Sequence, residues 1–402
     1  MHLLMVTPNL PHQGGGANTR NYHLLKVLTS LHTVSLLALV DRSELANTSA
    51  VTQLEQLTHT LKIVERPPAV QSKRRQQFLR VLRGQSYTLQ VNMLEEMQEA
   101  LDTLLGNSTY DAVVFESVLI AGYHLPANIP VIIDQHNLEY EILERTYQLG
   151  KSKLRRWYNQ RESQILKPIE IERCSKADIV LVTSEREQQI LQSLLPQQLI
   201  VTVPNGVDTE MFQQRGNREE VSGRIVFTGA MNYYPNVNAV LFFAQHCWPL
   251  IQARVPDATW QIVGREPPAE ISALARLPGV QVTGSVPDVR PYLTEAAVAV
   301  APLQIGSGTR LKILEALAMG KAMVSTSIGC EGIAVVLGKH LLIADQPETF
   351  ASAVVELLND PTKRHKLGTA GRKLVETQYS WTQCSDRLLQ QLKHLKERPR
   401  VC

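Results

Sequence analysis

The chain is short of cysteine, of net charge and of long apolar runs, and each shortage removes a class of protein. Its five cysteines, at 174, 247, 330, 384 and 402, are odd in number and scattered, with no Cys-x-x-Cys pair. They provide no disulfide framework and no thiolate metal knuckle, and read as reduced thiols of a cytosolic protein. A formal net charge of +3, from 41 Lys and Arg against 38 Asp and Glu, is too small to argue for a nucleic-acid partner, and none is expected. No apolar run approaches the roughly 20 residues of a membrane-spanning helix, so any membrane contact is peripheral. The apolar start, Met1 to Thr7, runs into Pro8 and Pro11 without a basic leader or a small-residue cleavage site, and reads as a first strand. There is no Ser/His/Asp arrangement, no metal-ligand spacing, no internal repeat and no low-complexity tract. No metal or cofactor is expected.

What is present is an ordinary soluble α/β composition, 44% hydrophobic and 20% charged, in a chain of 402 residues, long enough for two domains. Short β-branched runs alternate with helical stretches. The first set is 33–39, 112–115, 130–134 and 178–182; the second is 224–227, 259–263, 280–282, 298–301 and 322–325, with a helix over 238–251 among them. Such runs suit strands buried on both faces of parallel sheets. Val203-Pro204-Asn205-Gly206 interrupts the periodicity. The expectation is two doubly wound Rossmann-like domains, 1–203 and 204–380, facing across a cleft where open α/β sheets bind ligands at their carboxyl ends. A last helix follows Trp381.

The most informative stretch is 306–331, which reads as a glycine-rich turn, a helix from near Thr309 to Gly320, and a strand. Gly306 and Gly308 allow close approach of the backbone to a ligand, and the helix start presents unpaired N–H groups suited to a diphosphate. Arg310 and Lys312 add positive charge. Glu315, about one and a half turns on, can accept two hydrogen bonds from a ribose diol. Glycines and one Glu also fit an ordinary surface turn and amphipathic helix.

The wider pattern narrows this. Gly-Ser-Gly-Thr-Arg-Leu-Lys-Ile-Leu-Glu-Ala resembles the donor-binding segment of family 4 glycosyltransferases, in the subgroup written Gly-x-Gly-Thr-Arg-x-Lys-x-x-Glu-Ala. Asn205-Gly206-Val207-Asp208 with Phe212, Phe227-Thr228-Gly229-Ala230-Met231 leading to Pro235-Asn236, Ile262-Val263-Gly264, Gly284-Ser285-Val286-Pro287-Asp288 and Tyr379-Ser380-Trp381 follow in the family's order. The resemblance implies a GT-B fold, a nucleoside diphosphate sugar as donor and retention at the anomeric carbon. It also implies a last helix, 381–402, crossing back to the N-terminal domain, and is silent on the acceptor. A glycan or lipid-linked acceptor in surface-polysaccharide or glycolipid assembly is the family's habit.

Two departures matter. The family's usual first glutamate, eight positions before Glu315, is Ser307 here. The Arg and Lys that many relatives place after the glycine of the 224–229 strand, against donor phosphates, fall at Met231 and Asn236. Phosphate charge must then come from elsewhere, and Arg310 is the first choice because its planar fork can hold two oxygens. Lys312, two positions on, points to another helix face and is either a second phosphate ligand or a surface lysine. Backbone groups of Gly306, Ser307, Gly308, Thr309, Arg310 and Leu311 complete the donor turn. By resemblance Gly229, Gly264, Arg265, Val286 and Asp288 frame the nucleotide, with Arg265 either stacked on the base or salt-bridged at the surface.

In the N-terminal half, Pro8 to Ala17 forms a glycine-rich loop without the Gly-x-Gly-x-x-Gly spacing, and Gly15 and Gly16 are its close-approach positions. His136 ends a strand on the cleft side, where it either contacts the transferred sugar or is a satisfied structural histidine. Arg310 and His136 are the catalytic candidates. The chain has no Asp-x-Asp, the carboxylate pair of the metal-dependent transferases of the other major fold, so leaving-group charge falls to arginine, amides and a helix dipole. An epimerase or phosphorylase on the same architecture, or a non-catalytic scaffold, are the alternatives. Finally, 73–83 and 151–158 mix cations with apolar and aromatic residues. They are solvated helix faces, or interfacial helices giving peripheral contact with the inner face of a membrane.

Overall fold

The computed structural model describes residues 1–14, 16–67, 73–149, 152–213 and 219–397. Its contacts divide the chain into two units, Met1–Pro204 with Ser385–Cys402, and Asn205–Cys384.

The first unit is built on seven strands: β1 (His2–Thr7), β2 (Thr33–Val40), β3 (Thr60–Glu65), β4 (Ala112–Phe115), β5 (Val131–Gln135), β6 (Ile179–Val182) and β7 (Ile200–Thr202). They pair in the order β3-β2-β1-β4-β5-β6-β7, every neighbouring pair parallel. Successive side chains of β1 alternate between two cores, Leu3 and Met5 on one face and Leu4 and Val6 on the other. This is why the strand is apolar throughout. Leu388 and Leu392, from the Trp381–Glu397 helix, complete the core on the Leu3 face.

The second unit repeats the plan with β8 (Val221–Thr228), β9 (Thr259–Val263), β10 (Val280–Gly284), β11 (Ala296–Ala301), β12 (Met323–Ser325) and β13 (Leu342–Ile343). The order is β10-β9-β8-β11-β12-β13, again parallel. In each sheet the connections reverse direction at the centre, between β1 and β4 and between β8 and β11. Such a switch point opens a crevice at the carboxyl ends of the two central strands.

The helix expected over 238–251 is not continuous. It runs from Tyr234 to Phe242, widens into one π turn at Phe243–Cys247, and resumes as Trp248–Gln252. Pro249 has no N–H to donate backwards, and the wider turn before it absorbs the missing bond. The helix expected near Thr309 begins at Leu311, because Arg310 still has extended backbone at φ −86 and ψ 111. It ends as expected around Gly320, whose φ of +65 reverses the chain.

Candidate functional site

The carboxyl ends of β8 and β11 carry most of the predicted donor residues. After β8 the chain turns at Gly229, whose amide donates to Val263 O at 2.9 Å, and Met231 N donates to Arg265 O at 2.9 Å. Gly264 packs so closely here that a Cβ would stand 1.8 Å from Gly229 O. The structure therefore gives Gly264 a packing duty, joining the ends of β8 and β9. A Cβ on Gly229 would in turn meet Lys312 Nζ at 2.7 Å and Asn236 Nδ2 at 2.9 Å.

Lys312 is not the surface lysine that its helical position allowed. Its ammonium donates to Asn236 Oδ1 at 2.6 Å and lies 4.1 Å from the centroid of the Phe227 ring. Asn236 is fixed by its own donation to Ala230 O at 2.8 Å. Burial pulls the Lys312 pKa down to about 7 against the attraction of Glu315, while burial pushes Glu315 up to about 7 against the attraction of Lys312. Lys312 thus sets an ammonium beside Asn236, one of the positions where the resemblance led a cation to be expected.

The glycine turn precedes that helix. Gly306 and Gly308 have φ of +151 and +74, and Ser307 and Thr309 between and beside them are buried. Thr309 O accepts from the buried Asn205 Nδ2 at 2.9 Å, so Asn205 tethers the donor turn. Arg310 folds back over this loop. Its Nη1 donates to Gly308 O, its Nη2 lies 3.9 Å from Glu331, and a Cβ on Gly306 would run into its guanidinium. Arg310, the first choice for the phosphates, braces the turn, and Lys312 is held beside Asn236 and Phe227. Leu311 opens the helix and packs against the core.

The remaining predicted donor residues are placed differently. Arg265 is half-buried, and its Nε makes no hydrogen bond among the described residues. Val286 packs against the core. Asp288 is committed to Arg290, which binds it through Nη2 at 2.8 Å and Nε at 2.9 Å. Burial would raise the Asp288 pKa, but these bonds outweigh it and hold the carboxyl below its usual range.

In the first unit, the candidate is a buried charged cluster at the ends of β4 and β5. Arg20 grips both oxygens of Asp134, Nε and Nη2 each at 2.7 Å, and both side chains are almost wholly buried. His136 Nε2 stands 3.3 Å from Asp134 Oδ2 and 3.3 Å from Glu116 Oε2. Burial alone would lower the His136 pKa. The carboxylates of Asp134 and Glu116 override it and raise the imidazole to about 9. Burial and the Asp134 charge push Glu116 up to about 7. Burial also opposes the Asp134 charge, yet Arg20 and His136 keep it well below the usual carboxylate range. Glu116, Asp134 and His136 offer ligand atoms within 4.8 Å of one another, but Arg20 already takes both Asp134 oxygens and supplies the balancing charge.

Sequence reasoning gave neither Arg20 nor Asp134 a role. The signal was there: Arg20 sits four and eight residues before Leu24 and Leu28, on the buried stripe of the Gly16–Leu31 helix, where an unpaired cation is not tolerated. Of the two close-approach glycines, Gly16 opens this helix with nothing within 4 Å of a would-be Cβ. The conformation there does not require glycine. Gly15 lies outside the described residues.

Two family models between them match most of the chain: "Glycosyltransferase Family 4" over residues 14–211 and "Glycosyl transferases group 1" over residues 222–360. The chain is a family 4 glycosyltransferase. No protein of curated function matches the transferase by sequence. Solved structures share its fold at low identity. Sucrose-phosphate synthase from Thermosynechococcus elongatus is 15% identical with a TM-score of 0.73, over 98% of this chain and 99% of that one. HepE of Anabaena, solved in complex with UDP-glucose, is 14% identical with a TM-score of 0.68, over 98% and 100%. TarM of S. aureus, solved with fondaparinux, α-GlcNAc-glycerol and UDP, is 10% identical with a TM-score of 0.68, over 99% and 100%. The two Rossmann-like units of the transferase are those of a GT-B fold.

Proposed function

We propose that the transferase moves a hexosyl or related sugar from a nucleoside diphosphate to an acceptor hydroxyl with retention at the anomeric carbon, in assembly of a surface polysaccharide or lipid-linked glycan. The observation that carries the donor assignment is the Lys312 ammonium, held by Asn236 beside Gly229 at the switch point of the second sheet. Uridine is the first nucleoside to try, since HepE and TarM were solved with UDP or a UDP-sugar.

In this reading Lys312 and the amides of the Gly306–Arg310 turn take up charge on the β-phosphate as its bond to the sugar breaks. The acceptor oxygen bonds to the same carbon on the same face, and its proton passes to an oxygen of the departing phosphate, so no side-chain base is required. Glu315 accepts from the ribose hydroxyls. His136, held as an imidazolium, is the sugar-contacting group contributed by the first unit.

Thermal unfolding with uridine, guanosine and adenosine diphosphate sugars tests the donor class, because a ligand of the native state raises its apparent stability. A rise with one of them, and slow release of its free nucleoside diphosphate, is the expected result. No shift with any of the three removes the reading.

A further inference from the structure

Two basic segments separated by about seventy residues meet on the first unit. The Lys73–Leu82 helix packs against the start of the Lys153–Lys176 helix, with the Phe78 and Trp157 rings 5.5 Å apart between centroids. On the first of these helices the stripe Arg75, Phe78, Leu79 and Leu82 has the i, i+3, i+4, i+7 spacing that normally turns to the core. Here it faces outward: Phe78, Leu79 and Leu82 are 38%, 39% and 59% exposed, and Leu154 on the second helix is 63% exposed. Lys153, Arg155 and Arg156 surround Leu154 and are exposed too.

The two segments themselves carry charge of one sign. Residues 73–83 and 150–161 hold ten Lys and Arg and no Asp or Glu; in the rest of the chain 31 Lys and Arg are outnumbered by 38 Asp and Glu. The first acid of the second helix, Glu162, is buried and accepts from Ser86 Oγ and from the amides of Tyr87 and Thr88, so it does not offset the patch. Among the described residues no helix is long and apolar enough to cross a membrane. Apolar side chains projecting between cations are instead the arrangement of helices that lie in the headgroup plane.

We propose that this face docks the transferase on a bilayer of anionic phospholipid. The apolar side chains enter the acyl boundary while the surrounding Lys and Arg meet the headgroup phosphates. The proposal adds a membrane address to the function above and rests on that reading only for the inference that the acceptor is lipid-linked.

The test is co-sedimentation of the full chain with vesicles of phosphatidylglycerol and phosphatidylcholine in equal parts, beside vesicles of phosphatidylcholine alone. The expected result is binding to the mixed vesicles that weakens as salt is added and is weaker by about tenfold or more on the neutral ones. Two variants separate the contributions. Arg75→Ser/Arg155→Ser/Arg156→Ser should remove the preference for anionic lipid, and Leu79→Ser/Leu82→Ser/Leu154→Ser should weaken binding to the mixed vesicles, both leaving thermal stabilisation by the donor unchanged. Failure of the unmodified protein to sediment with the mixed vesicles at low salt overturns the proposal. Dimerisation without lipid that the leucine variant abolishes overturns it as well, because the occupant is then a second copy. Neither result bears on donor binding, which stands or falls on its own assay.

Discussion

The two Rossmann-like units handle buried charge in opposite ways. In the first, Arg20, Asp134, His136 and Glu116 neutralise one another, and the imidazole is held protonated well past neutrality. In the second, Lys312 and Glu315 share a crowded site and both are driven toward the neutral form, each with a pKa of about 7. A closed network holds its charges without help from a ligand. A pair weakened by burial gains most when a multiply charged anion enters, because the ligand restores the lysine's proton. The difference separates a cluster of settled charge from a pair that, in the proposed reading, a diphosphate would recharge.

The sharpest way to break this contrast is to open the closed network. Asp134→Ala leaves Arg20 buried without its paired carboxylate and His136 facing Glu116 alone, and the first unit should lose about 3 to 5 kcal/mol of stability. Hydrogen exchange at the β4 and β5 amides reads this unit alone, and a loss below about 1 kcal/mol would mean that the cluster is not a single charged unit. Changing Arg20 to Met in the same protein should return part of the loss.

Next comes the poised site. Lys312→Met should weaken UDP binding about a hundredfold. In the unmodified protein, affinity should be highest near pH 7: above it binding requires uptake of a proton by Lys312 and falls by up to about tenfold per pH unit, and below it Glu315 takes up a proton and its bond to the ribose weakens. Folding of the free protein runs the other way: with this lysine lowered from 10.5 to about 7, the unfolded chain holds the extra proton between those values, and this group makes stability rise with pH across that window. Calorimetry in buffers of different ionisation enthalpy should detect the proton, and its persistence in Lys312→Met would remove the assignment.

Smaller effects sharpen the division of labour. Glu315→Gln should cost about 1.5 kcal/mol or somewhat more in UDP affinity with the fold intact, as for one charged hydrogen bond. Arg310→Ala should cost less, about 1 kcal/mol, because its guanidinium braces Gly308 O and faces Glu331. If Arg310→Ala weakens binding more than Lys312→Met does, the brace and the phosphate ligand have been assigned the wrong way round.

The central strands were legible in the sequence because both their faces are buried, as in Leu3-Leu4-Met5-Val6. The strands not anticipated are all edges: β3 and β7 of the first sheet and β13 of the second. β3 carries Lys62 and Glu65 on opposite faces among residues that are only partly buried, because it is an edge strand, and β13 has only two residues, too short for any period. The glycine turn and Glu315 could be found from spacing. The exchange of a cation between Asn236 and Lys312 could not, since positions 76 residues apart in sequence become neighbours only once β8 and β11 pair. The backbone carbonyl that engages Arg310 is likewise invisible in a string of residues.

One feature of the fold also fixes an order of events during synthesis. Leu388 and Leu392 belong to the core of the first unit yet leave the ribosome after the whole of Asn205–Cys384. The domain that begins the chain therefore waits, with part of its apolar interior uncovered, until its distant partner has been made. Shortening the chain to Cys384 should leave the second unit folded and make the first one prone to aggregate, a defect felt in the half of the molecule farthest in sequence from the cut.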